Sequence, residues 1–291
     1  MNRLKSYILA FSMMLWVFLL VYSIVLLTQY RSVISSIGLL IDATVPLVFF
    51  MQLFTINKPR TTRTLMFPTL LIFLGFGIVI ANSVVTHGDV SYVFLCLLSL
   101  GAWVQYVFWY SNLGRRKNAQ LHVGKTLPEL SFINTLGEEV SAAAFPGKKF
   151  IYLFYRGNWC PLCMAQIKEI TQGYRRIMSL EVEVFLISPQ PLEFSKKLAA
   201  KMEVPFHFLT DSNNGMARKL GIQQRDGIPF GFELKGYDRE TVLPTVIITD
   251  ENSTILYVDQ TDNYRIRPEP ETFLEVLRNK SERKEAGLNP L

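Results

Sequence analysis

Four apolar segments occupy most of the first 111 residues, and they constrain the fold more than any other feature of the chain. They cover residues 6–28, 33–56, 65–86 and 90–111. Each segment is close to the roughly 20 residues that a helix needs to cross the hydrocarbon core of a bilayer. The sequence therefore predicts an N-terminal α-helical membrane domain of four transmembrane helices, at residues 1–117.

The basic residues beside these segments predict an orientation. The loops after the first and third segments contain a single basic residue, Arg31. Eight basic residues lie before the first segment, after the second and after the fourth. The eight are Arg3, Lys5, Lys58, Arg60, Arg63, Arg115, Arg116 and Lys117. Because Lys and Arg concentrate in cytoplasmic loops, we expect both termini and the remaining chain to be cytoplasmic, at a bacterial-type inner membrane.

The charge of the chain is divided unevenly between its two parts. The first 118 residues carry nine of the 30 Lys and Arg residues but two of the 24 acidic residues, so the remainder is nearly neutral. The overall charge of +6 therefore belongs to the flanks of the apolar segments. It is not the basic patch of a nucleic-acid-binding domain, and we expect no nucleic-acid partner.

Two of the three cysteines stand in the sequence Arg-Gly-Asn-Trp-Cys-Pro-Leu-Cys at residues 156–163. The apolar run before it predicts a strand, and Pro161 suits the first position of a helix. Cys160 is then the N-cap, where free amides and the helix dipole favour a thiolate. Arg156 adds positive charge, and Cys163 is placed one turn later to resolve a mixed disulfide or a sulfenic acid.

Three other interpretations of the cysteine pair stay open at this point. Zinc needs about four ligands, and within residues 118–291 His122 and His207 are the only further Cys or His candidates, so no metal or cofactor is expected. A structural disulfide across so short a loop constrains little chain. The third interpretation is two inert buried thiols, although cytosolic pairs are more often catalytic than structural.

Two residues inside the apolar segments are unusual there. Asp42 lies near the middle of the second segment, where a carboxylate is costly and suggests a function. Alternatively, it lies at the outer interface, or it is protonated and hydrogen-bonded. Cys96 is alone in the fourth segment, so we expect it to serve packing and not electron transfer across the bilayer.

The remaining residues, 118–291, predict one α/β domain. Strands alternate with helices and a final hairpin precedes the last helix, a pattern typical of an α/β sandwich. The early strands are almost continuously apolar, as expected where both faces of a sheet are covered. We predict strands at 149–155, 183–188, 206–209, 245–249 and 254–258, and helices at 161–177, 191–202, 214–220 and 269–280.

A strand followed by Trp-Cys-x-x-Cys at the start of a helix, with a distant Leu-Pro-Thr before a later strand, resembles the thioredoxin fold. The domain also resembles the peroxiredoxin-like branch of the alkyl hydroperoxide reductase / thiol-specific antioxidant family. The first resemblance implies that Pro244 is a cis-proline beside the cysteines. Matching segments lie at residues 123–128, 154–163, 187–190, 209–213 and 262–270.

The two resemblances imply different nucleophiles. In the peroxiredoxin pattern Pro-x-x-x-Thr/Ser-x-x-Cys, Arg156 stands at the proline, Cys160 at the threonine and Cys163 at the peroxidatic cysteine. The thioredoxin pattern selects Cys160 instead, and exposure at the N-cap favours this choice. Trp159 is expected to shield the pair. The segment 262–270 contains Arg265 and Arg267, which a solvated basic turn also explains.

These features predict a membrane-tethered thiol-disulfide oxidoreductase or thiol peroxidase with antioxidant activity, whose catalytic residues are Cys160, Cys163, Arg156, Trp159 and Pro244. Its substrate is a hydroperoxide or a disulfide, and an external thiol reductant such as thioredoxin or glutathione reopens the disulfide. Two alternatives remain. The domain is a redox sensor that signals through the helices, or, if the topology is reversed, an extracytoplasmic disulfide reductase.

Overall fold

A computed structural model describes residues 2–56, 58–115, 118 and 120–285. The chain divides into two compact units, Met1–Asn112 and Leu113–Leu291. We predicted the domain boundary between residues 117 and 118, and the structure does not describe residues 116, 117 and 119. That boundary therefore stays a prediction.

The first unit consists of four long helices, and all four correspond to the predicted apolar segments. Each is long and apolar enough to cross a membrane. The last continues into one π-helical turn, Tyr106–Tyr110. The helices are α1 Asn2–Thr28, α2 Val33–Thr55, α3 Met66–Thr86 and α4 Ser91–Gln105.

The interior of this unit is closely packed. Helices α2 and α3 approach each other at Gly38 and Gly75, where an added Cβ on either glycine would come within 2.8 Å of the other's carbonyl oxygen. Small residues permit such approach between helices that a bilayer surrounds. Trp16 and Trp103 lie edge to face, with ring centroids 6.4 Å apart, and both are fully buried.

The second unit contains a seven-stranded mixed sheet among its described residues, with strand order β2-β1-β5-β4-β3-β8-β9. Strands β3, β4 and β5 are parallel, and β8 runs antiparallel to β3. A separate two-stranded ladder joins β6 to β7. The strands are β1 Ser131–Ile133, β2 Glu139–Ser141, β3 Lys149–Phe154, β4 Val182–Ser188, β5 His207–Thr210, β6 Gln223–Gln224, β7 Thr241–Val242, β8 Thr245–Thr249 and β9 Ile255–Asp259.

The helices of this unit complete the predicted α/β domain. Gly173 divides the single helix that we predicted after the cysteines into two. The hairpin of β1 and β2 was not predicted, because its strands are three residues long and only partly buried. The helices are α5 Pro161–Gln172, α6 Tyr174–Met178, α7 Leu192–Met202, α8 Gly215–Lys219 and α9 Pro270–Glu285.

The parallel strands determine where the cysteine pair lies. Both faces of β3 and β4 are covered, as their continuously apolar sequences predicted, and aromatic side chains such as Phe154 and Phe185 fill the core. The loop after β3 leads to Cys160, and the loop after β4 contains Gln190. Both loops therefore leave the carboxyl edge of the sheet, where ligands bind in many α/β folds.

Candidate active site

The local structure around the two cysteines agrees with the prediction from their spacing. Pro161 begins α5 and Cys160 is its N-cap, with an extended backbone. The Cys160 Sγ atom accepts a hydrogen bond from the backbone N–H of Cys163 at 3.4 Å. The two side chains therefore lie one helical turn apart, on the same side of the first turn of α5.

The predicted exposure of Cys160 is wrong. Cys160 is 2% exposed and Cys163 is 1% exposed. A distant part of the chain, residues 225–240, packs against the residues that precede Cys160: Phe232 lies 5.7 Å from the ring of Trp159, and Gly227 accepts a hydrogen bond from Arg156. Local spacing shows none of these long-range contacts.

The charges around the pair favour a thiolate at Cys163. Burial acts to raise the pKa of Cys163, but a hydrogen bond from Cys160, the charge of Arg267 and the backbone N–H of Arg156 outweigh it and lower this pKa to about 6. The Arg267 Nη2 atom lies 4.0 Å from the Cys163 Sγ atom. A positive charge at this distance stabilises the ionised form of the thiol.

The Cys160 thiol stays protonated by the same arrangement. Burial, its hydrogen bond to Cys163 and the negative charge of Cys163 raise the pKa of Cys160 well above its ordinary value, against the opposing charges of Arg156 and Arg267. Two thiolates in contact repel each other, so the pair holds one negative charge. This order of acidity contradicts the prediction that the helix N-terminus makes Cys160 the more acidic thiol.

Arg156 lies beside the pair, as predicted. Its guanidinium carbon stands 4.7 Å above the ring of Trp159, and its backbone carbonyl accepts a hydrogen bond from Thr241 Oγ1 at 2.8 Å. Among the described residues, its buried Nε atom has no hydrogen-bond partner. Arg156 thus has a donor left over for an oxygen atom bound near the thiols.

Gly157 allows Trp159 to take this position. The φ angle of Gly157 is +147°, and a Cβ added there would lie 2.7 Å from Trp159 Nε1. Any other residue is strained in this backbone conformation and also displaces the indole ring. Trp159 is therefore fixed between Arg156 and Phe232.

A buried hydrogen-bond network holds the loop before Cys160, and the sequence did not reveal it. Gln190 accepts a hydrogen bond from the Asn158 backbone N–H at 2.9 Å, and its Nε2 atom donates to Asn158 Oδ1 at 3.0 Å. The same amide lies 3.1 Å from Tyr155 Oη and 3.3 Å from Ser195 Oγ. Burial, and then the charge of Cys163, raise the pKa of Tyr155, so its phenol stays protonated.

Arg265 and Arg267 are not part of a solvated turn. Arg265 is fully buried and Arg267 is 5% exposed. The local fold is set by Asn263, whose Oδ1 atom accepts a hydrogen bond from the Arg265 backbone N–H at 3.0 Å. The family resemblance of residues 262–270 was the one signal in the sequence for Arg267, and its contact with Cys163 was not predicted.

The expected cis-proline is also wrong, since the described residues contain no cis peptide bond. The trans form is intrinsically favoured by about 0.5–1 kcal/mol for X–Pro bonds, and the surrounding contacts are satisfied with it. Arg115 Nη2 donates to the Pro244 carbonyl at 2.8 Å and to Thr245 Oγ1 at 2.9 Å. The Leu243 backbone N–H donates to the Ile222 carbonyl at 2.7 Å.

Within the described residues, no group of three or more His, Cys, Asp and Glu side chains is arranged to hold a metal ion. His207 bonds to Glu183 at 2.9 Å and packs against Phe145 and Phe185. These contacts give His207 a structural role, away from the cysteines.

A family model described as Redoxin matches residues 122–277, which is more than half of the chain. The chain belongs to the Redoxin family. This membership confirms the resemblance to thioredoxin-fold, peroxiredoxin-like proteins, and it covers the sheet, the cysteine pair and the segment that contains Arg267. The four apolar helices lie outside the matched residues.

Two curated relatives of the Redoxin domain are peroxiredoxins. "Peroxiredoxin Q, chloroplastic" from Sedum lineare is 30% identical over 110 residues, 37% of this chain and 59% of that relative. "Putative peroxiredoxin bcp" from Coxiella burnetii is 27% identical over 123 residues, 42% of this chain and 81% of the relative. The chain thus spans less than two thirds of the Sedum protein. Among solved structures, peroxidoxin BcpB from Mycobacterium tuberculosis matches with a TM-score of 0.46 at 16% identity, over 55% of this chain and 97% of that one.

Proposed function

We propose that the chain is a thiol-dependent peroxidase whose nucleophile is Cys163 and whose resolving residue is Cys160. The observation that carries the proposal is the position of Arg267 Nη2, 4.0 Å from the Cys163 Sγ atom. With the pKa of Cys163 lowered to about 6, about nine tenths of this thiol is ionised at pH 7. Membership in the Redoxin family and the similarity to peroxiredoxins support this activity.

In the first step, the Cys163 thiolate attacks one oxygen of a hydroperoxide. An S–O bond forms and the O–O bond breaks, and the released alkoxide takes up a proton and leaves as an alcohol. Cys163 is oxidised by two electrons to a sulfenic acid, and the peroxide is reduced by the same two electrons. Arg156 donates a charge-assisted hydrogen bond to the oxygen on which negative charge develops.

In the second step, the Cys160 sulfur attacks the Cys163 sulfenic acid. The S–S bond forms, the S–O bond breaks, and the hydroxyl group leaves as water with the Cys160 proton. The contact between the two residues in the first turn of α5 supports direct resolution within one chain. Cys96, in the first unit, is the one further cysteine, so reopening the disulfide needs two electrons from an external thiol of the thioredoxin or glutathione class.

The burial of both thiols favours a hydroperoxide over a protein disulfide as the oxidising substrate. A side chain that is 1% exposed is reached by a small molecule after a limited movement of its surroundings. A protein disulfide, by contrast, must place two sulfur atoms and their backbone against the nucleophile. Residues 225–240 contact Arg156 and Trp159, which lie beside the pair, so we expect this segment to move when either partner binds.

The four helices support a membrane-tethered form of this peroxidase. The eight basic residues on one side of the apolar segments favour cytoplasmic termini and a cytoplasmic Redoxin domain. A lipid bilayer is then the surface beside which the enzyme works. Labelling of single introduced cysteines from each side of the membrane tests this topology, and labelling of the C-terminal part from outside would contradict it.

Steady-state turnover of the full-length protein in detergent tests the peroxidase proposal. With a hydroperoxide and a thiol reductant, Cys163→Ser should abolish turnover, and Cys160→Ser should permit one peroxide equivalent to be consumed per chain before turnover stops. Cys96→Ala is the matched control and should retain full turnover. Unchanged turnover in Cys163→Ser would contradict the proposal, and a wild-type protein that reacts only once per chain would favour the redox sensor instead.

A further inference from the structure

Asp42 is a buried carboxylate whose oxygens form no well-aligned hydrogen bond with the described residues. It is 0% exposed in α2, and neither of its carboxylate oxygens has a hydrogen-bond partner in the described part of the chain. Ser99 and Cys96 of α4 lie close enough to interact weakly with its carboxylate, but neither forms a well-aligned hydrogen bond to a carboxylate oxygen. An unpaired charge in an apolar interior costs several kcal/mol, so an ionised Asp42 requires a partner that the described residues do not supply.

No basic residue of the four helices is placed to be that partner. Within α1–α4, the Lys and Arg residues are Arg3 and Lys5 at the start of α1. Trp16 of α1 lies at the same depth in the unit as Asp42, because it donates a hydrogen bond at 3.1 Å to Ser99 Oγ, which in turn contacts the Asp42 carbonyl. Lys5 is 11 residues earlier, which is about 16 Å along a helix.

Pro46 adds a second oxygen ligand at the same place. Because proline has no N–H, Pro46 leaves the Asp42 backbone carbonyl, four residues earlier in α2, without its helical donor. The carbonyl instead faces Ser99 Oγ at a distance of 3.4 Å. This distance is long for an O–H···O hydrogen bond, which is about 2.7–2.8 Å.

The 3.4 Å separation suits two oxygens that share one metal ion. In Ca²⁺ sites each oxygen ligand lies about 2.4 Å from the ion. Two such ligands are about 3.4 Å apart when the oxygen–ion–oxygen angle is about 90°. A carboxylate, a freed carbonyl and a hydroxyl are hard oxygen donors, and helices broken in the bilayer use such carbonyls to hold Na⁺.

We propose that Asp42, through its carboxylate and its backbone carbonyl, forms a Na⁺ site with Ser99 Oγ inside the four-helix unit. One carboxylate balances a monovalent ion, whereas a divalent ion would leave a net positive charge in the apolar interior. The 3.4 Å between the Asp42 carbonyl oxygen and Ser99 Oγ suits a small ion. The backbone of Asp42 is also closely packed, because an added Cβ at Gly75 would lie 3.3 Å from the Asp42 nitrogen. The site is independent of the proposed peroxidase.

Binding of radioactive Na⁺ to the full-length protein in detergent tests the site directly, together with Na⁺-dependent thermal stability. We expect saturable binding of one Na⁺ per chain, a rise in Tm with NaCl but not with choline chloride at equal ionic strength, and weaker effects of KCl. The fluorescence of Trp16, which contacts Ser99, should change over the same Na⁺ range. Asp42→Asn should abolish the Na⁺ response, and Ser99→Ala should weaken Na⁺ binding at least tenfold.

Ser23→Ala is the matched control. Ser23 is a buried serine of α1 that donates to the carbonyl of Leu20 in its own helix at 2.8 Å, so this variant should retain Na⁺ binding. Absence of saturable Na⁺ binding by the wild-type protein would overturn the proposal and leave Asp42 as a protonated carboxyl. A wild-type Na⁺ response in folded Asp42→Asn would overturn it as well. If Asp42→Asn does not fold, wild-type stoichiometry and Ser99→Ala decide.

Discussion

Replacing Arg267 by Gln removes the guanidinium charge that contacts the Cys163 sulfur. At 4.0 Å and an effective dielectric constant of about 20, the Coulomb attraction between the two charges is about 4 kcal/mol. If solvent and the neighbouring Arg156 screen about half of it, about 2 kcal/mol remains, and the pKa of Cys163 rises from about 6 to about 7.5. The thiolate fraction at pH 7 then falls from about 90% to about 25%.

The assay has two parts. The ultraviolet absorbance of the thiolate, followed against pH in the reduced protein, gives the pKa, and single-turnover reaction with a hydroperoxide at pH 7 gives the rate. We expect the rate constant of Arg267→Gln to fall roughly fourfold and to recover at high pH, where the thiol is fully ionised again. Arg267→Lys keeps the charge and should restore most of the rate.

Arg176→Gln is the control for loss of a positive charge. Arg176 is exposed and forms an ion pair with Glu271 at 2.7 Å, so this variant should leave both the thiol pKa and the rate unchanged. An unaltered pKa in Arg267→Gln would refute the electrostatic reasoning, even if the rate falls. A rate that does not recover at high pH would refute it in the same way.

Three further predictions follow from the same geometry. Cys160→Ala should raise the pKa of Cys163 by removing a hydrogen bond to its sulfur, as a thiolate titration will show. The free energy of unfolding of the reduced protein should rise between pH 6 and about 8.5, because folding lowers the pKa of Cys163. This stabilisation is complete above the pKa of the unfolded thiol and is lost as the pH falls through about 6. Denaturation curves of the oxidised protein, which has no free Cys163 thiol, should not show it. Gly157→Ala should displace Trp159 and destabilise the protein by about 1–3 kcal/mol in chemical denaturation, whereas Gly101→Ala, which meets no atom within 4 Å, should not.

Features that depend on neighbouring residues were predicted well from the sequence. The four apolar helices follow from segment length and hydropathy, and the strand 245–249 was predicted with the bounds that the structure shows. The N-cap position of Cys160 follows from Pro161. In each case the deciding interaction joins residues a few positions apart, so the local sequence contains it.

Features of the site that depend on distant residues could not be predicted in this way. Arg156 and Gly227 are 71 positions apart, and Arg267 and Cys163 are 104 apart. The second contact adds the charge of Arg267 to the hydrogen bond from Cys160, and both lower the pKa of Cys163. Local propensity describes neither long-range contact. The thioredoxin resemblance also suggested a cis bond at Pro244, where the structure has a trans bond.

The central claim is that Cys163, and not Cys160, reacts first with peroxide. Its most direct test is mass spectrometry after one equivalent of hydroperoxide and a reagent that traps sulfenic acids, applied to the full-length Cys160→Ser and Cys163→Ser variants. We predict a trapped sulfenic acid at Cys163 in Cys160→Ser and no rapid trapping in Cys163→Ser. Rapid trapping at Cys160, with Cys163 unmodified, would contradict the assignment.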